Sequence, residues 1–264
     1  LKPAKVVLTG SCGYVGTATK ELLLDSGYEV IQIDKKIGRN TIYLFSYLFG
    51  QDPICIIHLS AKKSIPESKK KPWAYYFNNI LSTLSTAIVA KVSSIPVVFA
   101  SSAAVYSPSS AYARAKIVEE KILRLLCPSV AVLRYFNIVG KTATVNDYGS
   151  TNLFSIIGRN PKIEINSISS TRDYVHVLDI ARANVMAMEH LQKNGSFTTD
   201  IFTGEPRTLL DVVEEYKING LTIDYTVLGA EDASTIPTLD NRHVFGWEPA
   251  YTFSQAIKSE IKEK

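Results

Sequence analysis

Short apolar runs punctuate the chain: Val6-Val7-Leu8, Val30-Ile31 with Ile33, Ile54 to Ile57, Val97-Val98-Phe99 and Val130 to Leu133. Runs of that length, rich in β-branched residues, suit strands covered on both faces. Strands are predicted near 5–9, 29–34, 54–59, 97–100 and 130–134. Helical stretches near 15–26, 72–92 and 112–126 fall between some of them. A further helix from about Leu178 to Leu191 and a strand at Ile201-Phe202-Thr203 are expected to rejoin the same sheet. Residues 138–170 turn polar and rich in Gly, Asn and Ser, and helices are expected near Leu209–Tyr216 and from Phe253. The alternation of strand and helix predicts the α/β class, a doubly wound parallel sheet with a smaller C-terminal lobe.

The first predicted strand runs straight into Gly10-Ser11-Cys12-Gly13-Tyr14-Val15-Gly16 and then a helix. Glycines at that junction let the backbone approach a pyrophosphate, and the helix N-terminus supplies unpaired N–H groups. This is the opening of a Rossmann dinucleotide-binding unit. The second strand ends in Asp34, some twenty residues on, where a carboxylate accepts the ribose hydroxyls of NAD and repels the extra phosphate of NADP. Lys35, Lys36 and Arg39 follow it and offer the alternative of holding such a phosphate. The fourth strand ends in Ser101-Ser102, placing a hydroxyl donor at the carboxyl edge of the sheet, where ligands bind. Ten residues later, Tyr112-Ala113-Arg114-Ala115-Lys116 opens a helical segment. Its phenol and ammonium share one helix face, and the cation favours a phenol that accepts protons.

In that order the motifs resemble the extended short-chain dehydrogenase/reductases, and within them the UDP-glucose (UDP-galactose) 4-epimerases. Gly10, Gly13, Tyr14, Val15 and Gly16 are similar to the family's cofactor loop. His58-Leu59-Ser60-Ala61-Lys62-Lys63 resembles the strand end and lysine beside the cofactor diphosphate, with Leu59, Ser60, Ala61 and Lys63 as contacts. Asn78 in Tyr75-Tyr76-Phe77-Asn78-Asn79 is similar to a further cofactor contact. Leu133-Arg134-Tyr135-Phe136-Asn137 resembles the segment in which Phe136 packs near the nicotinamide and Asn137 binds the sugar nucleotide. Asn152 and Leu153 resemble a further substrate contact. Arg172-Asp173-Tyr174-Val175-His176 is similar to a family hallmark whose arginine clamps the substrate diphosphate.

The resemblance implies Ser102, Tyr112 and Lys116 as catalytic residues. Ser102 and Tyr112 also touch substrate, and Tyr112 and Lys116 also touch the cofactor, NAD. It implies C4 epimerisation of a UDP-hexose through a 4-keto sugar. It divides the chain into an NAD-binding domain, 1–137 plus 171–203, and a nucleotide-sugar lobe, 138–170 plus 204–264. Dehydratases and decarboxylases of the superfamily carry an acid just after the catalytic hydroxyl. Here Ala103 and Ala104 stand there, and they move no proton. Two other readings stay open: an epimerase or reductase for a UDP-N-acetylhexosamine or UDP-pentose, and a non-catalytic NAD-binding regulatory protein. Retention of the Ser102, Tyr112 and Lys116 set argues against the last.

The chain has 264 residues, 46% of them hydrophobic, enough for one large or two modest cores. The net charge of +4 suits an anionic sugar nucleotide. The run Lys62, Lys63, Lys69, Lys70, Lys71 reads as a solvated loop and helix start rather than a nucleic-acid surface. Cys12, Cys55 and Cys127 have neither disulfide nor metal spacing, so reduced packing residues and no metal are expected. No apolar run reaches transmembrane length and the opening residues lack a signal-peptide pattern, so a cytoplasmic protein without membrane or nucleic-acid partners is expected. The apolar helices near 72–92 and 112–126 predict a homodimer. Several intervals are short for the family. One is 34–54, where no third strand with an adenine-binding acid is evident. Another is Ser102 to Tyr112, where additional residues between Tyr106 and Ala111 are expected in the intact polypeptide. Near the C-terminus, Gly229-Ala230-Glu231-Asp232 lacks the family's second diphosphate arginine, leaving Asp232 as the substrate contact there.

Overall fold

A computed structural model describes residues 2–142, 144, 153–159, 162–165, 167–229, 237 and 244–261. The chain runs β1 (Lys5–Thr9), α1 (Tyr14–Asp25), β2 (Glu29–Ile33), α2 (Leu44–Tyr47), β3 (Pro53–His58), α3 (Ile65–Lys70), α4 (Pro72–Val92), β4 (Val97–Ser102), α5 (Ala111–Leu126) and β5 (Val130–Tyr135). There follow β6 (Asn137–Val139), α6 (Leu153–Arg159), β7 (Lys162–Ile165), β8 (Thr171–Arg172), β9 (Tyr174–His176), α7 (Val177–Asn194), β10 (Phe197–Ile201), β11 (Arg207–Thr208), α8 (Leu209–Ile218), β12 (Asp224–Val227) and α9 (Phe253–Lys258).

Six strands form one sheet in the order β10-β5-β4-β3-β1-β2, with every pairing parallel. The expected α/β doubly wound architecture is the observed one. Strands β1, β3, β4 and β5 are buried on both faces, which is why they are written as apolar runs rather than alternating ones. One face carries α4 and α5, whose Ala87, Ala90 and Leu123 pack on Val7, Ile56, Val97 and Val132. The other carries α1 and α7, with Leu23, Ile180, Ala183 and Met188 against Leu8, Ile57 and Leu133. Each fully buried Val, Leu, Ile or Met side chain among these contributes about 1.5–3 kcal/mol. A second cluster joins α6, β7, α8 and α9 to the outer sides of α1 and α7, through Phe154, Ile163, Val212, Tyr216 and Ile257.

The last strand of the sheet lies at 197–201, upstream of the expected 201–203. Its centre, Thr198-Thr199-Asp200, is polar, yet Thr199 and Asp200 are fully buried. Tyr106 donates to both Asp200 oxygens at 2.8 Å, and Arg124 donates to Thr198 Oγ1 at 3.0 Å. Those partners replace the apolar signal by which a strand is usually found. Between Asp34 and Pro53 stand two 3₁₀ turns and the short α2. The connection from β4 to α5 is closed by its own bonds. Ser107 N–H donates to Ala104 O at 3.2 Å, Arg114 donates to Pro108 O at 3.3 Å, and Ser110 Oγ accepts Ala113 N–H at 3.1 Å as the cap of α5.

Candidate active site

The carboxyl ends of the six strands share one edge, and the order reverses between β1 and β3, where such sheets bind ligands. A cleft of about 300 Å³ opens there, lined by the 10–16 loop, Asp34 and Lys35, residues Leu59 to Lys63, and Asn78. Gly10 sits at φ +71°, and a side chain on it would lie 2.9 Å from the backbone of Leu59 and Ser60. A Cβ on Gly16 would fall 2.0 Å from Gly10 O. The loop is therefore folded against β3 and against itself, which only glycine permits. Helix α1 begins after Gly13 with no side-chain cap, so its first N–H groups remain for a ligand oxygen.

Asp34 closes one end of this cradle. Its Oδ2 accepts from Cys12 N–H at 3.0 Å and its Oδ1 from Lys36 N–H at 2.8 Å, which fixes the carboxylate against the loop. Lys35 Nζ donates to Asn78 Oδ1 at 2.7 Å, joining the end of β2 to α4. Buried Asn79 accepts from Lys62 N–H at 2.8 Å and donates to Lys62 O at 3.0 Å, holding the 60–64 segment in place. Lys63 Nζ lies 5.5 Å from the Tyr14 ring centroid. The tight glycine turn, the uncapped helix start, the fixed carboxylate and the nearby lysines fit the phosphates and ribose of a dinucleotide. Lys35, which the sequence offers only as a holder of an NADP phosphate, and Lys62, which it does not offer as a contact, both join the lining. The Lys62-Lys63 doublet right after an apolar strand was the available signal.

Beyond the cleft lies a second group. Ser102 ends β4, level with Tyr135 of β5. Its Oγ accepts Ala104 N–H at 3.2 Å, leaving the hydroxyl hydrogen for another acceptor. Tyr112 is half-buried in the first turn of α5, near enough to Tyr135 for its charge to help raise that residue's pKa, which burial raises first. Lys116 is buried. Its Nζ donates to Ala100 O at 2.9 Å and to Glu119 Oε2 at 3.0 Å, and lies 4.4 Å from the Phe99 ring centroid. The ammonium is thus held by Ala100 and Glu119, and Lys116 is not among the residues lining the cleft. Ser102 and Tyr112 also stand outside the cleft lining.

Helix α5 is fastened by Glu120. It accepts from Ser101 Oγ at 2.6 Å, from Arg134 Nε at 2.9 Å and from Arg124 at 2.8 Å. Burial works to raise the Glu120 pKa, but these hydrogen bonds and charges prevail and hold it low. Phe136 is buried against Phe202, ring centroids 5.7 Å apart, and Asn137 opens β6. Arg172 is half-buried on β8. Asp173 accepts from Thr203 N–H at 2.7 Å, Thr203 Oγ1 at 3.0 Å and Gly204 N–H at 2.8 Å, so it ties the β8–β9 turn to the exit of β10. Leu153 starts α6, whereas Asn152 and Asp232 lie outside the described residues. Among the described residues no cluster of three His, Cys, Asp or Glu is placed to hold a metal, and no helix is long and apolar enough to cross a membrane.

Residues 6–199 match the NAD dependent epimerase/dehydratase family. The chain is 27% identical to a UDP-glucose 4-epimerase of Rhizobium leguminosarum bv. trifolii, over 96% of this chain and 95% of that one. It is 26% identical to the UDP-glucose 4-epimerase of Drosophila melanogaster, over 86% of each. Among solved structures, UDP-glucose 4-epimerase from Bifidobacterium longum in complex with NAD+ and UDP aligns with a TM-score of 0.85 at 25% identity, over 97% of both chains. The Stenotrophomonas maltophila UDP-glucose-4-epimerase, at 23% identity and a TM-score of 0.88 over 97% and 96%, shares the fold.

Proposed function

Because this chain belongs to the NAD dependent epimerase/dehydratase family, we propose that it inverts C4 of a UDP-hexose, interconverting UDP-galactose and UDP-glucose through a 4-keto sugar. The observation that carries the reading is the placement of Ser102 at the end of β4 and Tyr112 at the start of α5, with no acid beside the serine. The relatives named UDP-glucose 4-epimerase support the choice of reaction. NAD, when bound, supplies the hydride chemistry at C4. The residues fitted to hold it are Gly10, Gly13, Tyr14, Val15, Gly16, Asp34, Leu59, Ser60, Ala61, Lys63 and Asn78.

Tyr112 takes the proton of the sugar 4-hydroxyl and later returns it. Ser102 donates its free hydroxyl hydrogen to the same oxygen and steadies the change of charge. Lys116, one turn along the helix, stabilises the negative charge on a proton-accepting phenol. Arg172 grips the diphosphate while the sugar turns, with Asn137 and Leu153 beside it. Residues 1–137 with 171–203 form the NAD domain, and 138–170 with 204–264 the sugar lobe. The test is turnover of UDP-galactose by the NAD-loaded protein in a UDP-glucose-coupled assay, beside UDP-N-acetylhexosamines and UDP-pentoses. Absence of turnover on all of them overturns the reading, and faster turnover of another sugar moves the substrate.

Asp34→Ala is expected to weaken NAD binding about tenfold or more, the scale of a hydrogen bond to a charged group, and to relax the preference over NADP. Calorimetric titration of both dinucleotides measures it. Tighter NADP than NAD binding by the unmutated protein would remove the Asp34 assignment.

The chain also acts as a homodimer in this reading. Trp73, Phe77, Leu81, Ile88 and Val92 form an exposed apolar stripe along α4, and Leu125 is exposed on α5 beside it. A stripe of that kind on two packed helices suits burial against a second copy. Light scattering at micromolar concentration is expected to give twice the chain mass, and Phe77→Asp to shift it toward the monomer. A monomer at that concentration without mutation removes the claim.

A further inference from the structure

Lys116 and Glu119 form an ion pair sealed within the protein, with side chains 3% and 0% exposed. The carboxylate oxygen that receives Lys116 also receives the Thr83 hydroxyl at 3.1 Å. This assigns the hydrogens behind it. The single hydroxyl hydrogen of Thr83 goes to Glu119, so its oxygen accepts from His58 Nε2, 3.1 Å away. His58 Nδ1 then carries no hydrogen and accepts from the Thr9 hydroxyl at 2.7 Å. Thr9 Oγ1 in turn accepts from Ser60 N–H at 3.3 Å. The assignment needs a neutral imidazole. Burial, and then the charge of Lys116, push the His58 pKa down to about 3. Every hydrogen in the series from Ser60, on the wall of the cofactor cleft, points toward Glu119.

This arrangement is costly. A buried ion pair rarely outperforms apolar residues of the same volume. The second oxygen of Glu119, Oε1, is buried with no hydrogen-bond partner, which costs about 1–3 kcal/mol. Stability alone does not explain such a group. Its neighbours do: Tyr112 stands one turn before Lys116 on the same face of α5, and Lys116 is bonded to Ala100, two residues before Ser102.

The geometry points to Glu119 as a positioning residue of the proposed epimerisation. It holds the Lys116 ammonium fixed one turn from Tyr112 and beside the strand that ends in Ser102, and it joins that side chain to the cofactor wall through Thr83, His58 and Thr9. This rests on the epimerase reading above. Glu119 touches neither sugar nor dinucleotide; it acts through Lys116.

Glu119→Gln keeps the size of the side chain and an acceptor oxygen while removing its charge. With saturating NAD, kcat for UDP-galactose is expected to fall about tenfold or more while KM stays unchanged, the pattern of an interaction used only in the transition state. In a Lys116→Met background the same change is expected to cost nothing further, because the two residues act as a unit. A slowly exchanging lysine ammonium signal in ¹H–¹⁵N spectra of the unliganded protein, assigned by its loss in Lys116→Met, is expected to vanish in Glu119→Gln. The double variant carries neither charge and is expected to melt no lower than Glu119→Gln alone. Should Glu119→Gln fail to fold, Thr83→Val removes one donor to the carboxylate, with an expected kcat loss of about two- to tenfold at constant KM. Wild-type kcat in a folded Glu119→Gln protein, a change in KM alone, or equal losses with and without Lys116 would each overturn the proposal. Wild-type turnover is measured alongside. Its absence overturns the epimerase reading instead, while the ammonium signal still tests the pair.

Discussion

Tyr112→Phe is expected to lose roughly a hundred- to ten-thousandfold in turnover of UDP-galactose, the usual worth of a positioned acid–base group, while binding NAD almost as well as the parent. Phenylalanine keeps the ring, and Tyr112 makes no hydrogen bond among the described residues that this change would break. Folding should therefore be preserved, and the loss should fall on kcat. Lys116→Met is expected to lose activity as well, and to unfold more readily, because it leaves Glu119 buried without its counter-charge. Ser102→Ala should be milder, since water can replace one hydrogen bond. It also frees Ala104 N–H, so a small loss of stability accompanies it. The coupled assay decides the matter. Near-normal turnover of Tyr112→Phe would move the proton acceptor elsewhere.

Gly16→Ala is the second large effect. The added methyl would sit 2.0 Å from Gly10 O and 2.9 Å from Gly10 C, both backbone atoms, so the whole 10–16 turn must shift. Overpacking of this kind costs about 1–3 kcal/mol. If that cost falls on the bound form, NAD affinity drops about tenfold or more. If it falls on folding, the melting temperature drops by roughly 2–4 °C for each kcal/mol. Gly38→Ala is the control. Unlike Gly16, which lies within α1, Gly38 has a positive φ, +74°, but a Cβ there meets nothing within 4 Å. Gly38→Ala should carry a backbone cost of its own, without the steric one, and leave NAD affinity unchanged. Calorimetry and thermal melting separate the two. Wild-type NAD affinity in folded Gly16→Ala would mean that the turn does not seat a phosphate.

The sheet was legible where burial on both faces demanded apolar runs. Val6 to Leu8, Ile54 to Ile57, Val97 to Phe99 and Val130 to Leu133 all lie in strands at their expected places. It is less legible where a buried strand satisfies polar side chains through distant partners: the apolar signal falls on Ile201-Phe202, whereas the strand runs through Thr198-Thr199-Asp200 beside it. The glycine loop, Asp34, Ser102 and the start of α5 follow from local rules and were placed from sequence. The direction of the Lys116 side chain does not follow from such rules. Spacing says which helix face a residue shares, but the rotamer depends on what packs around it, here Phe99, Ala100 and Glu119. Glu119 itself reads as one of two ordinary acids on a helix until Thr83 and His58, far away in sequence, are seen to converge on it.

The sheet order also sets a sequence of events during synthesis. Strand β10 is made last of the six yet lies beside β5, about sixty residues earlier in the chain. Closing a loop of that length costs entropy before any contact repays it. Two fastenings near Ser102 and α5, Arg124 to Thr198 and Tyr106 to Asp200, form only once residues 198–200 have left the ribosome. The residues that line the cleft all lie between Gly10 and Asn78, so they leave the ribosome before the helix bearing Tyr112, while Tyr14 of that lining waits for Gly140 to accept its hydroxyl.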